Sequence, residues 1–321
     1  MKCFLTRRLP QAAMEQLETT FELRVNPYDR VCTKEELLEG VRWCDILLCL
    51  LTDPIDAEII RANPHLQGIV NYAVGYNNID VAAATARKIP VTNTPGVLTE
   101  TTADLAWALI FSVARRIVES DAFTRSGAFA GWAPQLFLGG DVWGKTLGII
   151  GAGRIGTAVA LRSAGFNMPL LYVDEHPNTP LEQQLGARKV SLTELLQQAD
   201  FVSLHVPLLP QTTHLIGMAE FAAMKSTAYL INTSRGAVVD EAALVQALQT
   251  GRIAGAGLDV YEHEPLLHPA LKALPNVVLT PHIASGSKDT RTRMGLICAE
   301  NAAAIKAGKM PPQIVNPEIY R

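Results

Sequence analysis

The chain has 321 residues, of which 48% are hydrophobic and 18% are charged, and its net charge is −3. This composition is typical of a globular protein with enough chain for two domains. Basic and acidic residues are mixed along the sequence without a basic block, so we expect no nucleic-acid partner.

The N-terminal segment MKCFLTRRLP has only a short apolar run, Cys3 to Leu5, which is too little for a signal-peptide core. The most apolar helical run, residues 103–114, is interrupted by Asp104 and is too short to cross a bilayer, so we expect no membrane partner. Five cysteines without a CxxC spacing indicate reduced thiols. We therefore expect a cytoplasmic protein without a metal site.

Short apolar runs alternate with helix-like stretches over the first hundred residues. Residues 44–50 and 68–72 predict buried strands, and residues 34–42 and 55–62 predict helices. This alternation indicates a parallel sheet covered by helices. A long helix is predicted next, from Thr101 to Thr124, with apolar residues on several faces. Such a helix is usually buried on more than one side, between domains or against a second subunit.

A second series of strands begins near residue 146. Its six apolar runs, separated by helix-like segments, are residues 146–150, 170–173, 201–204, 228–231, 255–258 and 277–279. Six short strands with helices between them make one doubly wound parallel sheet. The predicted fold class is therefore α/β, with two Rossmann-like or flavodoxin-like domains.

The segment TLGIIGAGRIG predicts a dinucleotide site. Gly151, Gly153 and Gly156 follow a strand and begin a helix, which is the context in which G-x-G-x-x-G binds a pyrophosphate. The first glycine permits a tight turn, the second lets the pyrophosphate approach, and the third lets helix and sheet pack closely. Because this motif lies in the middle of the chain, we expect the cofactor domain to be inserted in the substrate domain.

An acid follows the next predicted strand. Asp174 lies 18 residues after Gly156 (174 − 156), where a carboxylate accepts hydrogen bonds from the ribose hydroxyls and repels a 2′-phosphate. This position favours NAD over NADP. Arg154 and His176 are nearby cations that could weaken the preference.

Three later segments carry ionisable side chains at the carboxyl ends of strands, where open α/β sheets bind ligands. Hydride transfer to a 2-keto acid needs a proton donor, for which histidine is suited, and a cation that binds the carboxylate and carbonyl, for which a planar guanidinium is suited. A carboxylate beside the histidine would fix its tautomer and favour imidazolium. The candidates are Arg235, the acids Asp259, Glu262 and Glu264, and His282.

Each candidate has a plainer interpretation on its own. His282 could be structural, Arg235 could form an interdomain ion pair, and Glu264 could be a helix-start acid. Their occurrence at successive strand ends after a dinucleotide motif favours catalysis. His205 is a rival base, but no acid neighbours it in the sequence, and His263 lies between two acids and is expected to be exposed.

The sequence resembles the NAD(P)-dependent D-2-hydroxyacid dehydrogenases, in particular the glyoxylate and hydroxypyruvate reductase branch. The segments that carry this resemblance include NYAVGYNNIDV, VTNTPGVLTETTADLAWAL, GKTLGIIGAGRIG, INTSRGAVVDEAAL, AGAGLDVYEHEP and VVLTPHIAS. The resemblance implies an NAD(P)-dependent oxidoreductase that reduces a small 2-keto acid to the D-2-hydroxy acid, reversibly and as a homodimer, and Asp174 favours NADH as its cofactor. It implies Arg235, Glu264 and His282 as the catalytic residues.

The resemblance also implies domains and further site residues. Residues 1–99 and 286–321 would form the substrate domain, and residues 100–285 the NAD-binding Rossmann domain. The backbone amides of Val74 and Gly75 would bind the substrate carboxylate, and Trp132 would reach the substrate pocket of the partner subunit. With the motif glycines, the implied cofactor contacts are Thr102, Gly151, Gly153, Arg154, Ile155, Gly156, Asp174, Val206, Pro207, Thr212, Thr233 and Asp259.

The chain departs from the pattern of this branch at two positions. The branch commonly has glycine where this chain has Ala284, and many glyoxylate reductases have arginine near the ribose site, where this chain has Asp174. The segment TRSGAFAGWAPQLFLG is similar to phosphite dehydrogenase, but that enzyme has a lysine where this chain has Val74, so we expect no phosphite activity. The sequence also leaves open a formate-type dehydrogenase and an NAD(H)-sensing binding module of the corepressor type.

Overall fold

The computed structural model describes all 321 residues, and the chain divides into two compact units. Unit 1 consists of Met1–Leu98 and Ser285–Arg321, and unit 2 of Thr99–Ala284. Each division lies one residue from the boundary predicted above. The assignment of substrate binding to one unit and cofactor binding to the other stays a prediction.

Unit 1 begins with strands and helices in alternation. The strands pair in parallel in the order β2-β1-β3-β4-β5, and the strands predicted within residues 44–50 and 68–72 are β3 and β4. The other three strands were missed: the first was taken only as a short apolar run, the second has two exposed residues and no apolar run, and the fifth has two residues. In chain order the elements are β1 (Lys2–Leu5), α1 (Gln11–Thr20), β2 (Glu22–Val25), α2 (Lys34–Trp43), β3 (Ile46–Cys49), α3 (Ala57–Arg61), β4 (Gly68–Asn71), α4 (Val81–Ala86) and β5 (Val91–Thr92).

Side-chain caps determine where the early helices begin. Thr33 accepts a hydrogen bond from the Glu36 amide and forms a capping box with Glu36, so α2 starts at Lys34. The helix predicted from Ile55 begins two residues later, because Asp56 caps α3 and Ile55 forms a bridge with Ile79.

Unit 2 contains a seven-stranded parallel sheet in the order β12-β11-β10-β9-β6-β7-β8. All six predicted strands are present, and a short seventh strand, β8, extends one edge. Apolar clusters cover both faces of the sheet. The elements are α5 (Thr99–Ala114), α6 (Ile117–Arg125), β6 (Leu147–Ile150), α7 (Arg154–Arg162), β7 (Leu170–Val173), α8 (Thr179–Leu185), β8 (Arg188–Lys189), α9 (Leu192–Gln198), β9 (Phe201–Leu204), α10 (Met218–Ala223), β10 (Tyr229–Asn232), α11 (Glu241–Gln249), β11 (Gly255–Leu258) and β12 (Val277–Leu279).

The single helix predicted over residues 101–124 is wrong, because the chain forms α5 and α6 instead. Arg116 adopts a left-handed conformation with φ of 54°, which a right-handed helix cannot include, and its guanidinium pairs with Glu119 at 2.7 Å. Helix α5 is buried along much of its length, whereas no residue of α6 is buried. No glycine or proline marks the break, so the residue pattern concealed it.

The chain returns to unit 1 in α12 (Lys288–Lys306), which packs against α1 and β4. A Cβ at Gly295 would lie 2.6 Å from the Cβ of Ala13, so the glycine permits a close approach of the two helices. Downstream, the Asn316 side chain accepts a hydrogen bond from the Val91 amide at 2.8 Å. Both chain ends therefore build unit 1. No helix of the chain combines the length and apolar character needed to cross a membrane.

Candidate active site

The glycine-rich turn joins β6 to α7 in unit 2. Gly151 has φ of 93°, and an added Cβ there would lie 2.8 Å from the carbonyl carbon of His205. A Cβ at Gly156 would lie 2.0 Å from the Gly151 oxygen, whereas a Cβ at Gly153 would meet nothing within 4 Å. Two glycines therefore permit packing, and the third leaves open space at a helix N-terminus, whose first amides have no acceptor within the helix. This arrangement suits a phosphate group.

Asp174 follows β7 and faces the same turn. Its Oδ2 accepts from the Ala152 amide at 2.7 Å, and its Oδ1 accepts from the His176 amide at 3.1 Å. Each carboxylate oxygen keeps a lone pair for a ribose hydroxyl. After β10, which β9 separates from β6 in the sheet, the buried Oγ1 of Thr233 has no hydrogen-bond partner in the protein. An open turn, an oriented acid and an unsatisfied hydroxyl fit a bound dinucleotide.

The remaining predicted cofactor residues lie in unit 2 at different depths. Val206 and Pro207 follow β9, and Thr212 donates to the Pro207 carbonyl at 2.6 Å and accepts from the Leu209 amide at 2.8 Å. Thr212 therefore holds the loop after β9 in shape. Among the rest, Thr102 is buried in α5, Arg154 is exposed at the start of α7, and Ile155 is half-buried.

Arg235, Glu264 and His282 follow three neighbouring strands, β10, β11 and β12. Glu264 Oε2 lies 2.8 Å from His282 Nδ1, and Glu264 Oε1 accepts from the Tyr261 amide at 3.0 Å. Burial alone would raise the pKa of Glu264, but hydrogen bonding and charge from His282, the Tyr261 amide and the charge of Arg235 together hold this pKa below its usual range. The site therefore contains an ionised carboxylate in contact with an imidazole.

Arg235 lies in the electrostatic field of this pair. Burial lowers the pKa of Arg235, and the charge of Glu264 opposes that effect. An arginine remains charged under such conditions. Its Nη1 donates to the Ser234 carbonyl at 2.7 Å, and Asn232 Nδ2 donates to the Arg235 carbonyl at 3.0 Å. The turn after β10 thus holds a fixed cation in a partly buried position.

Asp259 is the acid that shapes the turn around His282. Its Oδ1 accepts from Thr280 Oγ1 at 2.6 Å and from the Ile283 amide at 2.8 Å, while its Oδ2 accepts from the Ala284 amide at 2.8 Å. These bonds hold His282 in a left-handed conformation with φ of 54°. The position of Asp259 orients the histidine, and its implied contact with a cofactor stays a prediction.

The two other histidines considered in the sequence differ from His282. Burial lowers the pKa of His205 to about 3, and its Nε2 bonds to Ser203 Oγ at 2.8 Å. A neutral imidazole of this kind carries no proton to donate at neutral pH. His263 is exposed, as expected, and Glu262 pairs with His214 at 2.6 Å. Of the three candidate acids, Glu264 is the one in contact with His282.

In unit 1, three consecutive carbonyls of the turn after β4 each accept a hydrogen bond. The donors lie on β4 and in the segment after β5, and two of them are asparagine side chains that sequence reasoning missed. The bonds run from the Thr94 amide to Ala73 O, from Asn93 Nδ2 to Val74 O and from Asn71 Nδ2 to Gly75 O, each at 2.8 Å.

These anchored carbonyls determine where the amides of the turn point. In a trans peptide the N–H that follows a carbonyl points in the opposite direction. The amides of Val74, Gly75 and Tyr76 therefore point away from the donors, and none of them has an acceptor in the protein. Three free donors in succession suit an anion such as a carboxylate. We call these three amides the amide cradle.

Trp132, the remaining predicted substrate contact, is 85% exposed. It lies in the irregular segment between α6 and β6, and its ring contacts no other aromatic ring.

Comparison with known proteins shows the family of the chain. The family model of the D-isomer specific 2-hydroxyacid dehydrogenase, NAD binding domain, matches residues 107–284. A glyoxylate reductase of Korarchaeum cryptofilum is 52% identical over 100% of this chain and 97% of its own length. The chain belongs to the D-isomer specific 2-hydroxyacid dehydrogenase family.

Solved structures of relatives have the same fold. A crystal structure of a Thermus thermophilus protein is 45% identical, with a TM-score of 0.92 over 98% of this chain and 100% of that chain. An NADPH-dependent glyoxylate/hydroxypyruvate reductase of Sinorhizobium meliloti, in complex with NADP and malonate, is 32% identical, with a TM-score of 0.86 over 98% of this chain and 96% of that chain.

Membership of the 2-hydroxyacid dehydrogenase family confirms the resemblance and the fold class inferred from the sequence. The chain is an NAD(P)-dependent oxidoreductase of this family, and the matched NAD-binding region lies within unit 2, which also contains the glycine-rich turn. Which of the two cofactors it prefers is a separate question, since the Sinorhizobium meliloti relative is NADPH-dependent.

Proposed function

We propose that the protein reduces a small 2-keto acid, glyoxylate or hydroxypyruvate, to the D-2-hydroxy acid with NADH, in a reversible reaction. The observation that carries this proposal is the set of Arg235, Glu264 and His282 at three neighbouring strand ends of a dinucleotide-binding unit. The name of the Korarchaeum cryptofilum relative, glyoxylate reductase, supports the substrate.

The proposed proton donor is His282. NADH, when bound, supplies the hydride that reduces the keto carbon. Reduction then requires one proton at the former carbonyl oxygen, and an imidazolium is suited to donate it near neutral pH. Glu264 contacts the imidazole Nδ1 at 2.8 Å, which leaves Nε2 to face the substrate. After transfer, the neutral imidazole takes up a proton from solvent.

Arg235 and the amide cradle are the proposed ligands of the substrate. The guanidinium is fixed in charge, so it can bind the carbonyl oxygen and stabilise the negative charge that develops there. A carboxylate accepts hydrogen bonds from the amides of Val74 and Gly75, which have no other acceptor.

The cofactor contacts proposed are those of the glycine-rich turn, the loop after β9 and Thr233. Asp174 supports NADH over NADPH, because its anchored carboxylate would bind the ribose hydroxyls and repel a 2′-phosphate. The exposed cations Arg154 and His176 are the residues that would moderate this preference.

We also propose that the protein forms a homodimer. Apolar side chains are exposed along α6 and the segment after it, and exposed apolar patches mark interaction sites. They include Ile117, Val118, Phe129, Trp132 and Leu138. A second copy of the chain would cover them, and Trp132 would then reach the substrate pocket of the partner subunit. Sedimentation of the protein at micromolar concentration tests the dimer, and a monomer would contradict it.

A steady-state assay tests the function. NADH oxidation, and then NADPH oxidation, is followed with glyoxylate, hydroxypyruvate, pyruvate and 2-ketogluconate. We expect rapid turnover of glyoxylate or hydroxypyruvate with a preference for NADH. A preference for NADPH would keep the reaction and refute the role of Asp174. Failure of all four acids, with NADH still bound, would refute the proposed reduction and favour a sensing module, and release of carbon dioxide from formate would favour a formate-type enzyme.

A further inference from the structure

Two glutamates behind the catalytic set hold each other's backbone. Glu241 is the first residue of α11, and its Oε2 accepts from the Glu262 amide at 2.9 Å. In return, Glu262 Oε2 accepts from the Glu241 amide at 3.1 Å. The second oxygen of Glu241 accepts from the His268 amide at 2.8 Å, and the second oxygen of Glu262 contacts His214 Nε2 at 2.6 Å. One carboxylate therefore joins residues 262 and 268.

The segment between those two amides carries Glu264. A carboxylate that binds the backbone at both ends of a short segment limits how the segment can move. Inside it, Glu264 turns back to accept from the Tyr261 amide and to contact His282. The position of Glu264 thus depends on a loop whose first and last amides, those of Glu262 and His268, donate hydrogen bonds to Glu241.

The same loop rests directly on the turn that carries Arg235. A Cβ added at Gly236 would lie 1.8 Å from the carbonyl carbon of Tyr261, so the two backbones touch without any side chain between them. A displacement of the Tyr261–Glu262 backbone would therefore also move the turn that carries Arg235. Through its hydrogen bonds to the 262–268 loop, Glu241 can therefore limit movement of that loop and of the turn that carries Arg235.

The chemistry of Glu241 points to the same role. It is 9% exposed, and a buried carboxylate is costly unless hydrogen bonds compensate it. Two backbone donors and the N-terminus of α11 supply that compensation. A stable surface helix needs no buried charge at this position, because Asp240 already caps it.

We propose that Glu241 is a positioning residue for the reaction, which holds the 262–268 loop so that Glu264 stays against His282 and the Arg235 turn stays in place. This inference rests on the proposed function, since it assigns Glu241 a role in that reaction.

The test replaces Glu241 with glutamine, which has almost the same shape but presents an NH2 group to one of the two amides. We expect kcat for glyoxylate reduction to fall by about tenfold or more, as supporting residues of active sites commonly show. The KM for NADH should stay unchanged. A lower kcat with an unchanged KM for NADH separates a loss of positioning from a general loss of stability, which would affect both.

The matched control is Glu220→Gln. Glu220 also accepts a backbone amide at a helix start in unit 2, that of Gly217 at 3.0 Å, but it makes no hydrogen bond to residues 259–268. Its replacement should leave kcat and the KM for NADH unchanged, even if the melting temperature falls. Equal kcat values for Glu241→Gln and the wild type would refute the positioning role.

A measurement on the wild-type protein covers the case in which Glu241→Gln fails to fold. Amide hydrogen exchange should be slow at Glu262 and His268 and fast at exposed His263. Similar rates at all three would show that Glu241 does not hold the two amides and would refute the proposal. The two proposals fail differently. A wild-type protein without activity on any keto acid removes the proposed function and this role with it, whereas an active wild type with an unaffected Glu241→Gln removes only the positioning role.

Discussion

The carboxyl edges of the two sheets offer different kinds of chemistry. In unit 1, the turn after β4 presents the backbone amides of Val74, Gly75 and Tyr76, which are oriented by bonds to their carbonyls. In unit 2, the turns after β10, β11 and β12 present side chains that carry charge. The backbone amides of the first turn can bind an anion but cannot transfer a proton, whereas the side chains at the second edge can do both.

This contrast determines how each edge responds to mutation. A side chain is removed by one substitution, and its chemistry is lost with it. A backbone amide survives substitution of its own residue, so the cradle is disturbed only through the groups that anchor it. The proposed function therefore predicts large losses of turnover at the edge of unit 2 and smaller losses of substrate affinity at the edge of unit 1.

The largest expected effect comes from His282→Asn. Removal of the proton donor should lower kcat for reduction by roughly 10²–10⁴-fold, the usual contribution of general acid–base catalysis. NADH binding, measured by fluorescence titration, should stay within error of the wild type. Loss of NADH affinity in place of kcat would show that His282 is structural and would remove the contrast between the two edges.

His205→Asn is the matched control for that experiment, and the pH profile sharpens it. A pKa of about 3 keeps His205 neutral in the assay range, so its replacement should leave the shape of the kcat/KM profile unchanged.

Glu264 has a lowered pKa, so its ionised form persists below the usual value of about 4.3 and is lost only as pH falls through the lowered value. No acid limb from Glu264 should therefore appear above that pH, and such a limb would contradict the pair with His282.

Arg235→Ala should have the next largest effect. The loss of a charged donor at the developing oxyanion is expected to lower kcat/KM by roughly 10²–10³-fold. Arg235→Lys keeps the charge but loses the planar fork, so it should recover only part of this loss. If Arg235→Ala keeps near-normal turnover on every accepted keto acid, the guanidinium has another task, such as an ion pair.

The fold was largely predictable from sequence, because short apolar runs and the glycine-rich motif are local signals. The six strands of unit 2 and its glycine-rich turn were recognised in this way. The break at Arg116 was not, since a left-handed arginine depends on its contacts and not on its residue type. The short strands β2 and β5 were missed because their pairing is determined by neighbours distant in the chain.

Within the site, the ionisable residues were visible in the sequence, but their pairing was not. Three acids were candidates for His282, and only the folded loop shows that Glu264 contacts it, while Asp259 holds the turn. The cradle anchors Asn71 and Asn93 went unnoticed, although a buried asparagine at a strand end often holds a turn. Backbone direction leaves no trace in composition, which is why Val74 and Gly75 came from the family resemblance.

Asn93→Ala tests the edge of unit 1 and should have a smaller effect than either substitution above. Without its side chain the Val74 carbonyl loses its donor, and the Gly75 amide is no longer fixed in direction. We expect the KM for glyoxylate to rise by about tenfold, in line with one lost hydrogen bond to a charged group, with kcat less affected. Asn71→Ala should act in the same direction through Gly75 O. A drop in kcat with unchanged KM would mean that the cradle does not bind substrate.

The smallest expected effect concerns the glycine-rich turn of unit 2 and the carboxylate of Asp174 beside it. Asp174→Ala removes the carboxylate held by the Ala152 and His176 amides but leaves the glycine-rich turn intact. The KM for NADH should rise about fivefold, the KM for NADPH should fall, and kcat should change little, because the ribose hydroxyls lose an acceptor while a 2′-phosphate loses a repelling charge. Unchanged KM values for both cofactors would mean that the backbone turn alone determines binding. The nucleotide site of unit 2 would then work in the same way as the amide cradle of unit 1.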